Sequence, residues 1–137
     1  MLGILFSVCF VCSVVIFLTR MFDMSKDSLL KRLHDEWLVM ILRGDTARQT
    51  EDTFEALIEG GATLLEVPFT TPGACEVIRH LRERHGDRVM VSAGTVTTVE
   101  QARAAIESGA QGIVSPNLYA PVVETAAAAG WSPRRDV

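Results

Sequence analysis

The sequence predicts an α/β fold built on a parallel β-sheet. Two observations carry that prediction. Short apolar runs alternate with amphipathic stretches of helical period four times, about every 24 residues from Trp37 onward. Each amphipathic stretch closes on glycine, at Gly60-Gly61, Gly86, Gly109 and Gly130. Strand, crossover helix and strand in succession imply parallel pairing, because each helix must cover a face of the sheet.

The elements follow in order. Asp27 or Ser28 caps a short helix, LLKRLHDE, with Leu29, Leu30 and Leu33 on one face. Trp37 to Leu42 (WLVMIL) is continuous in apolar residues, as expected of a strand buried on both faces, and Arg43-Gly44-Asp45-Thr46 breaks it. A helix from Gln49 to Glu59 follows, with Phe54, Leu57 and Ile58 at helical spacing. Leu64 to Phe69 (LLEVPF) is the second strand. Thr70-Thr71-Pro72 opens the second helix, whose inner face is Ala74, Val77, Ile78 and Leu81. Arg88 to Ser92 (RVMVS) is the third strand and Ala93-Gly94-Thr95-Val96 its exit loop. Thr98 caps the third helix, with Glu100 in its first turn and Val99, Ala102, Ala105 and Ile106 on one face. Gly112 to Ser115 is the fourth strand, Pro116-Asn117 a turn, and Pro121 to Ala129 the fourth helix. The pattern permits either an open doubly wound sheet or part of a barrel. No GxGxxG or GxxxxGK[ST] follows any strand, so nucleotide binding has no support.

The ends read differently. Residues 1–23 contain 17 apolar residues and only two charges, Arg20 and Asp23. Leu2 to Thr19 is an uncharged stretch of 18 residues, at the short limit for a membrane-spanning helix. No basic residue precedes it and no A-x-A site follows, which disfavours an export signal. The expectation is an apolar N-terminal helix that either anchors the chain to a membrane through residues 2–19 or is a mis-assigned start, with translation beginning at Met21 or Met24. The organisation expected is therefore a leader at 1–23, a βα body at 24–130 and a tail at 131–137 (WSPRRDV) without periodicity.

Composition narrows the function. The chain is 48% apolar and 22% charged, with a net charge of −4. That excludes a disordered tail, a collagen-like repeat and a basic nucleic-acid-binding module. Three cysteines cannot close a disulfide framework, and Cys9 and Cys12, a CxxC among Val and Phe, lack the second pair or histidine that zinc binding needs. In either α/β architecture, chemistry sits at the C-terminal ends of the strands. Those ends hold Arg43, Glu66, Thr70-Thr71 and Thr95. Glu66 is the most informative, because a carboxylate inside an apolar strand costs several kcal/mol unless it is paired, hydrogen-bonded or protonated. Two readings of it stand side by side: a buried glutamate paired with Arg43, or a general acid–base with a raised pKa. Arg43 stands where an anion would bind, with Gly44 permitting close approach, and it reads equally as a surface arginine. The hydroxyls of Thr70, Thr71 and Thr95 lie on the same rim. His34, His80 and His85 have no metal-ligand spacing, and His80 and His85 are expected to be solvated. Cys75, in the first turn of its helix, has no base near it in sequence.

Several segments resemble the KDPG/KHG aldolase family. They are ILRGDT at 41–46, ALIEGGATLLEVPFTTPGA at 56–74 and SAGTVTTVEQARAAIESGAQGIVSPNL at 92–118, in the family's order and spacing. The resemblance implies a (β/α)₈ TIM barrel, of which this chain would hold the first four βα units. It also implies a lyase that cleaves 2-keto-3-deoxy-6-phosphogluconate, or 4-hydroxy-2-oxoglutarate, to pyruvate and an aldehyde. A lysine Schiff base would be the electron sink, with no metal or other cofactor. Glu66 would be the proton-shuttling glutamate, Thr95 a threonine near the pyruvate carboxylate and Arg43 an active-site arginine. Thr70 stands where some members carry a carboxylate-binding arginine. Members usually form homotrimers, and the partner expected is a small 2-keto acid in the cytoplasm. The family's lysine lies on the sixth strand, beyond residue 137, whereas the lysines here are Lys26 and Lys31. The expectation is a truncated aldolase, inactive alone, with a non-catalytic membrane-tethered remnant or association partner as the alternative.

Overall fold

The computed structural model describes residues 31, 34–36 and 38–129. The leader, Asp27, Ser28, the Leu29/Leu30/Leu33 face, Trp37 and the tail lie outside the described residues. Lys31 and residues 34–36 are helical. Strand β1 is Met40–Ile41 and helix α1 is Ala47–Glu59; strand β2 is Leu64–Pro68 and helix α2 is Ala74–His85. A 3₁₀ turn, Gly86–Arg88, leads into β3, Met90–Gly94; then follow α3, Val99–Glu107, β4, Gly112–Ile113, and α4, Ala120–Ala128. Among the described residues, no helix is long and apolar enough to cross a membrane.

Local chemistry explains the helix ends. The Thr46 hydroxyl accepts from the Gln49 N–H at 3.2 Å and starts α1 two residues before the periodicity alone suggests. Thr98 and Gln101 form a reciprocal capping box on α3. Helix α2 begins later than expected, at Ala74. The Thr71 N–H first closes a turn on the Pro68 carbonyl at 2.9 Å, and Gly73 then takes a left-handed conformation, φ 71°, that glycine adopts freely. Pro121 sits in the first turn of α4, where its missing N–H removes no helical bond.

All four strands are parallel and lie in the order β1-β2-β3-β4. A doubly wound sheet reverses its strand order and covers both faces with helices; here the order never reverses. Leu65, Val67, Val91, Ala93 and Ile113 point to one face and merge into a single core with Phe54 and Ile58 of α1, Val77, Ile78 and Leu81 of α2, and Ala102, Ala105, Val122 and Ala126 of α3 and α4. The other face carries a separate apolar pair, Leu64 and Met90, with Val39 beside it and no residue from a described helix. The sheet is thus singly wound, with its described helices on one side.

Strand β1 differs from the expectation. Its pairing covers only Met40 and Ile41, and Leu38 and Ile41 are 58% and 59% exposed rather than buried. The cause is position, since among the described residues β2 is its only neighbour. Strand β3 begins two residues late, because Arg88 belongs to the 3₁₀ turn, and extends through Ala93-Gly94, which pair with Val67 and Pro68.

The expectation of two solvated histidines on α2 holds for His80, which is exposed, and is corrected for His85. The His85 side chain is 8% exposed; its Nε2 lies 2.9 Å from Glu55 Oε1 of α1, and Arg88 Nη2 lies 3.1 Å from its Nδ1. A guanidinium can only donate, so Nδ1 accepts and Nε2–H donates to Glu55. His80 makes a second tie to α1, with Nδ1 2.8 Å from Glu51 Oε1. One exposed and one sequestered histidine therefore join α1 to α2.

Two stability measurements check this packing. Phe54, fully buried beneath α1, is expected to lose about 3–5 kcal/mol on substitution to alanine in a urea unfolding titration. Glu55→Ala leaves the sequestered His85 N–H without its acceptor and is expected to cost about 1–3 kcal/mol, well above an exposed Glu→Ala control such as Glu83→Ala.

Candidate active site

Parallel register builds the site. Ile41, Glu66, Ser92 and Gly112 are register partners across the four strands and form one row on the face opposite the described helices. At the end of that row the Leu42 N–H donates to the Glu66 carbonyl at 3.4 Å, and the Phe69 N–H donates to the Gly94 carbonyl at 2.7 Å. The backbone of Glu66 therefore faces β1, and so does that of Pro68 two residues on. Proline has no N–H to continue the ladder, so the β1–β2 pairing ends there and Arg43 leaves the sheet. Each strand turns outward at the same edge, which places Arg43, Glu66, Thr70 and Thr95 at one end of the sheet.

Their environments differ. Glu66 is 8% exposed, and among the described residues its carboxyl accepts no hydrogen bond and forms no ion pair. The pairing of Glu66 with Arg43, one of the two sequence readings, is not formed: no Arg43 nitrogen lies within ion-pair distance, and Arg43 is exposed. Burial pushes the Glu66 carboxyl above its ordinary value of 4.5, and the Arg43 guanidinium acts through space in the opposite, weaker sense. Ser92, directly beside Glu66 in register, does not relieve it. Its buried hydroxyl donates instead to the Leu65 carbonyl at 3.0 Å and ties β3 to β2.

Thr95 leaves β3 with φ 56°, the only non-glycine in a left-handed conformation among the described residues. A β-branched residue there is strained by about 1–3 kcal/mol. Thr70 is exposed on the turn after β2. Its neighbour Thr71 is 3% exposed with a hydroxyl that has no partner. The strain at Thr95, the orphan hydroxyl of Thr71 and the register of Ser92 have no signature in the sequence, because each depends on backbone conformation or strand alignment. Cys75 is partly exposed in the first turn of α2. Among the described residues, no three His, Cys, Asp or Glu side chains group as a metal site.

A singly wound parallel βα sheet with a desolvated carboxyl toward its C-terminal edge defines the class as α/β, and its sequence places it in a known family. Residues 29–132 match the family described as KDPG and KHG aldolase, and the chain belongs to that family. Escherichia coli K12 2-dehydro-3-deoxy-6-phosphogalactonate aldolase is 33% identical over 95 residues, 69% of this chain and 46% of that enzyme. Treponema pallidum 2-dehydro-3-deoxy-phosphogluconate aldolase is 44% identical over 81 residues, 57% of this chain and 38% of that enzyme. Among solved structures, KDPG aldolase from Legionella pneumophila, with pyruvate captured at low pH as a covalent carbinolamine intermediate, superposes with a TM-score of 0.58 at 26% identity. The match covers 64% of this chain and 42% of that one. The chain spans less than half the length of these relatives.

The raised pKa of Glu66 has a measurable consequence. The fold favours the protonated carboxyl, so this group's contribution to stability is complete below about pH 4.5 and is lost as pH rises through the higher folded value. Glu66→Gln removes that dependence. Plotted against pH, the stability difference between variant and wild type should be flat in acid and grow in favour of the variant above pH 4.5. A difference that is constant across the range would show that Glu66 is not desolvated.

Proposed function

We propose that this chain contributes the acid–base and carboxylate-binding part of an aldolase site that cleaves a phosphorylated 2-keto-3-deoxy sugar acid to pyruvate and an aldehyde. The observation that carries the reading is the buried, unpaired carboxyl of Glu66 at the C-terminal edge of a parallel sheet. Family membership supports it.

In this reading a lysine amine adds to the C2 ketone and loses water, giving an iminium. The Glu66 carboxylate takes the proton from the C4 hydroxyl as the C3–C4 bond breaks. The electron pair of that bond moves into the iminium as an enamine, and the aldehyde departs. Glu66, now a carboxylic acid, returns the proton to C3, and hydrolysis frees pyruvate and the amine. A carboxyl that exchanges its proton in both directions works better with a pKa above the ordinary carboxylate value, the direction in which burial moves Glu66. The exposed Arg43 guanidinium, together with the Thr95 and Thr70 hydroxyls, would hold the keto-acid carboxylate.

In this reading the amine stands on βα units other than the four described. Lys26 and Lys31 both precede β1, and Lys31 lies 3.8 Å from Asp35 on its own helix, fully outside the row that contains Glu66. In this reading the four described βα units form the Glu66 side of the site, and further βα units carrying a lysine would complete the chemistry.

Borohydride trapping with labelled pyruvate tests this reading. The 137-residue chain alone is expected to take up no label. Mixed with a polypeptide carrying the later βα units of a family member, it should support labelling of that polypeptide and cleavage of the phosphorylated substrate. Glu66→Gln should slow the cleavage by about 10²–10⁴-fold. Covalent pyruvate on the 137-residue chain itself would overturn the division of labour, and cleavage indifferent to Glu66→Gln would remove Glu66 from the mechanism.

A further inference from the structure

Gly94 occupies a place where nothing in the backbone asks for glycine. It is the last residue of β3, paired with Pro68, and its φ lies outside the left-handed region that Gly61, Gly73, Gly86 and Gly109 occupy. Glycine within a strand also sacrifices packing and adds chain entropy to the unfolded state, so its presence needs another reason. Space supplies one. A Cβ built on Gly94 would overlap Glu66 Oε1, and would lie 2.7 Å from Glu66 Cδ and 2.9 Å from Cγ. The three nearest atoms all belong to that one side chain, and real Cβ atoms essentially never approach so closely.

We infer that Gly94 is the positioning residue of Glu66: the volume left by its missing side chain is the seat in which the carboxyl lies. Glu66 and Ser92 are register partners, and Gly94 is two residues beyond Ser92 on the same face. The Glu66 side chain thus leans along the sheet toward the strand C termini and lies over Gly94 instead of standing out from it. That posture accounts for a carboxyl that is buried although it sits near the open edge of the sheet. It also explains why Ser92 does not bond to it, since the carboxyl has passed beyond the serine, whose hydroxyl is committed to Leu65. Any side chain at position 94 would lift the carboxyl out of its seat.

The catalytic meaning of this seat rests on the aldolase reading, but its existence does not, and the test uses no substrate. The carboxyl resonance of Glu66 is followed by carbon-13 NMR in the intact 137-residue chain and assigned by its loss in Glu66→Gln. In Gly94→Ala its titration midpoint should fall toward that of a solvated glutamate. An unchanged midpoint in a folded Gly94→Ala variant overturns the inference. A mutant cycle covers the case in which that variant is too unstable to titrate. Gly94→Ala is expected to lower the thermal midpoint by roughly 5 °C in the wild-type background. In a Glu66→Ala background, where the seat is empty, it should cost less than about 2 °C or raise the midpoint. Equal losses in the two backgrounds, or failure of the double variant to fold, overturn the inference. If the seat is verified while borohydride trapping fails with the complementing half, the aldolase reading falls and the geometry of Glu66 stands.

Discussion

Parallel pairing in sequence order is the constraint on which the rest of this molecule depends. A chain that pairs each strand with the one before it, always in the same direction, must return along the sheet after every strand. In this chain the returns lie on one side. The helices then form a layer that shares a single core with Leu65, Val67, Val91 and Ala93, and alternation sends Glu66 and Ser92 to the opposite face. The same constraint aligns every strand exit at one edge. Arg43, Thr70 and Thr95 need no interaction with one another to be near that edge, since the direction of the strands puts them there. Ser92 and the capping residues Thr46 and Thr98 fix the alignment locally, by tying strand to strand and by setting where each helix begins.

That scaffold carries two features that oppose stability. Burial disfavours the charged form of the unpaired Glu66 carboxyl, and the fold responds by holding the proton more tightly rather than by supplying a partner. Thr95 holds a backbone conformation that a β-branched residue rarely takes. Thr95 lies at a strand exit and the Glu66 side chain leans toward the same edge over Gly94, and the well-packed helix-covered face does nothing to relieve either one. A nearer Arg43 would neutralise Glu66 and fix it as a permanent carboxylate. At its actual distance the guanidinium tempers the effect of burial and leaves the carboxyl able to change protonation state. Local cost concentrated at one edge, on a scaffold that is otherwise consistent from caps to core, is the pattern expected where structure has been shaped by chemistry.

Much of this was legible in the residues. The helix faces built on Phe54 and Ile58, on Val77, Ile78 and Leu81, and on Ala102 and Ala105 follow from period alone. Glu66 stands out because a charge in LLEVPF is expensive wherever the strand lies. What could not be read depends on partners distant in the chain. WLVMIL looks buried on both faces because the run is apolar, yet the exposure of Leu38 and Ile41 is decided by which strands flank β1. His85 looks solvated within HLRERH, and only the packing of α1 on α2 brings Glu55, 30 residues earlier, to its Nε2. The choice between a doubly wound and a singly wound sheet is likewise a matter of strand order, which hydrophobic period does not encode. The left-handed turn at Thr95 violates the residue's own preference, so propensity points away from it.

The proposed chemistry places complementary demands on two groups, and only one of them is met by residues on this sheet. An amine that forms an iminium must be unprotonated to attack, whereas the carboxyl that shuttles the proton must be able to hold one. Burial depresses the pKa of a lysine and raises that of a glutamate, so a single desolvated cavity tunes both at once. In this reading the face bearing Glu66 is one wall of such a cavity, and its raised carboxyl pKa is already that of a group facing low-dielectric surroundings. A lysine arriving on further strands would meet a carboxyl whose proton burial holds more tightly than usual, which weakens the support a carboxylate gives the ammonium form. The through-space pull of Arg43 then acts in the same sense on both partners: it makes Glu66 more acidic and discourages protonation of the amine. In this reading the burial of Glu66 bears on the amine as much as on the carboxyl itself.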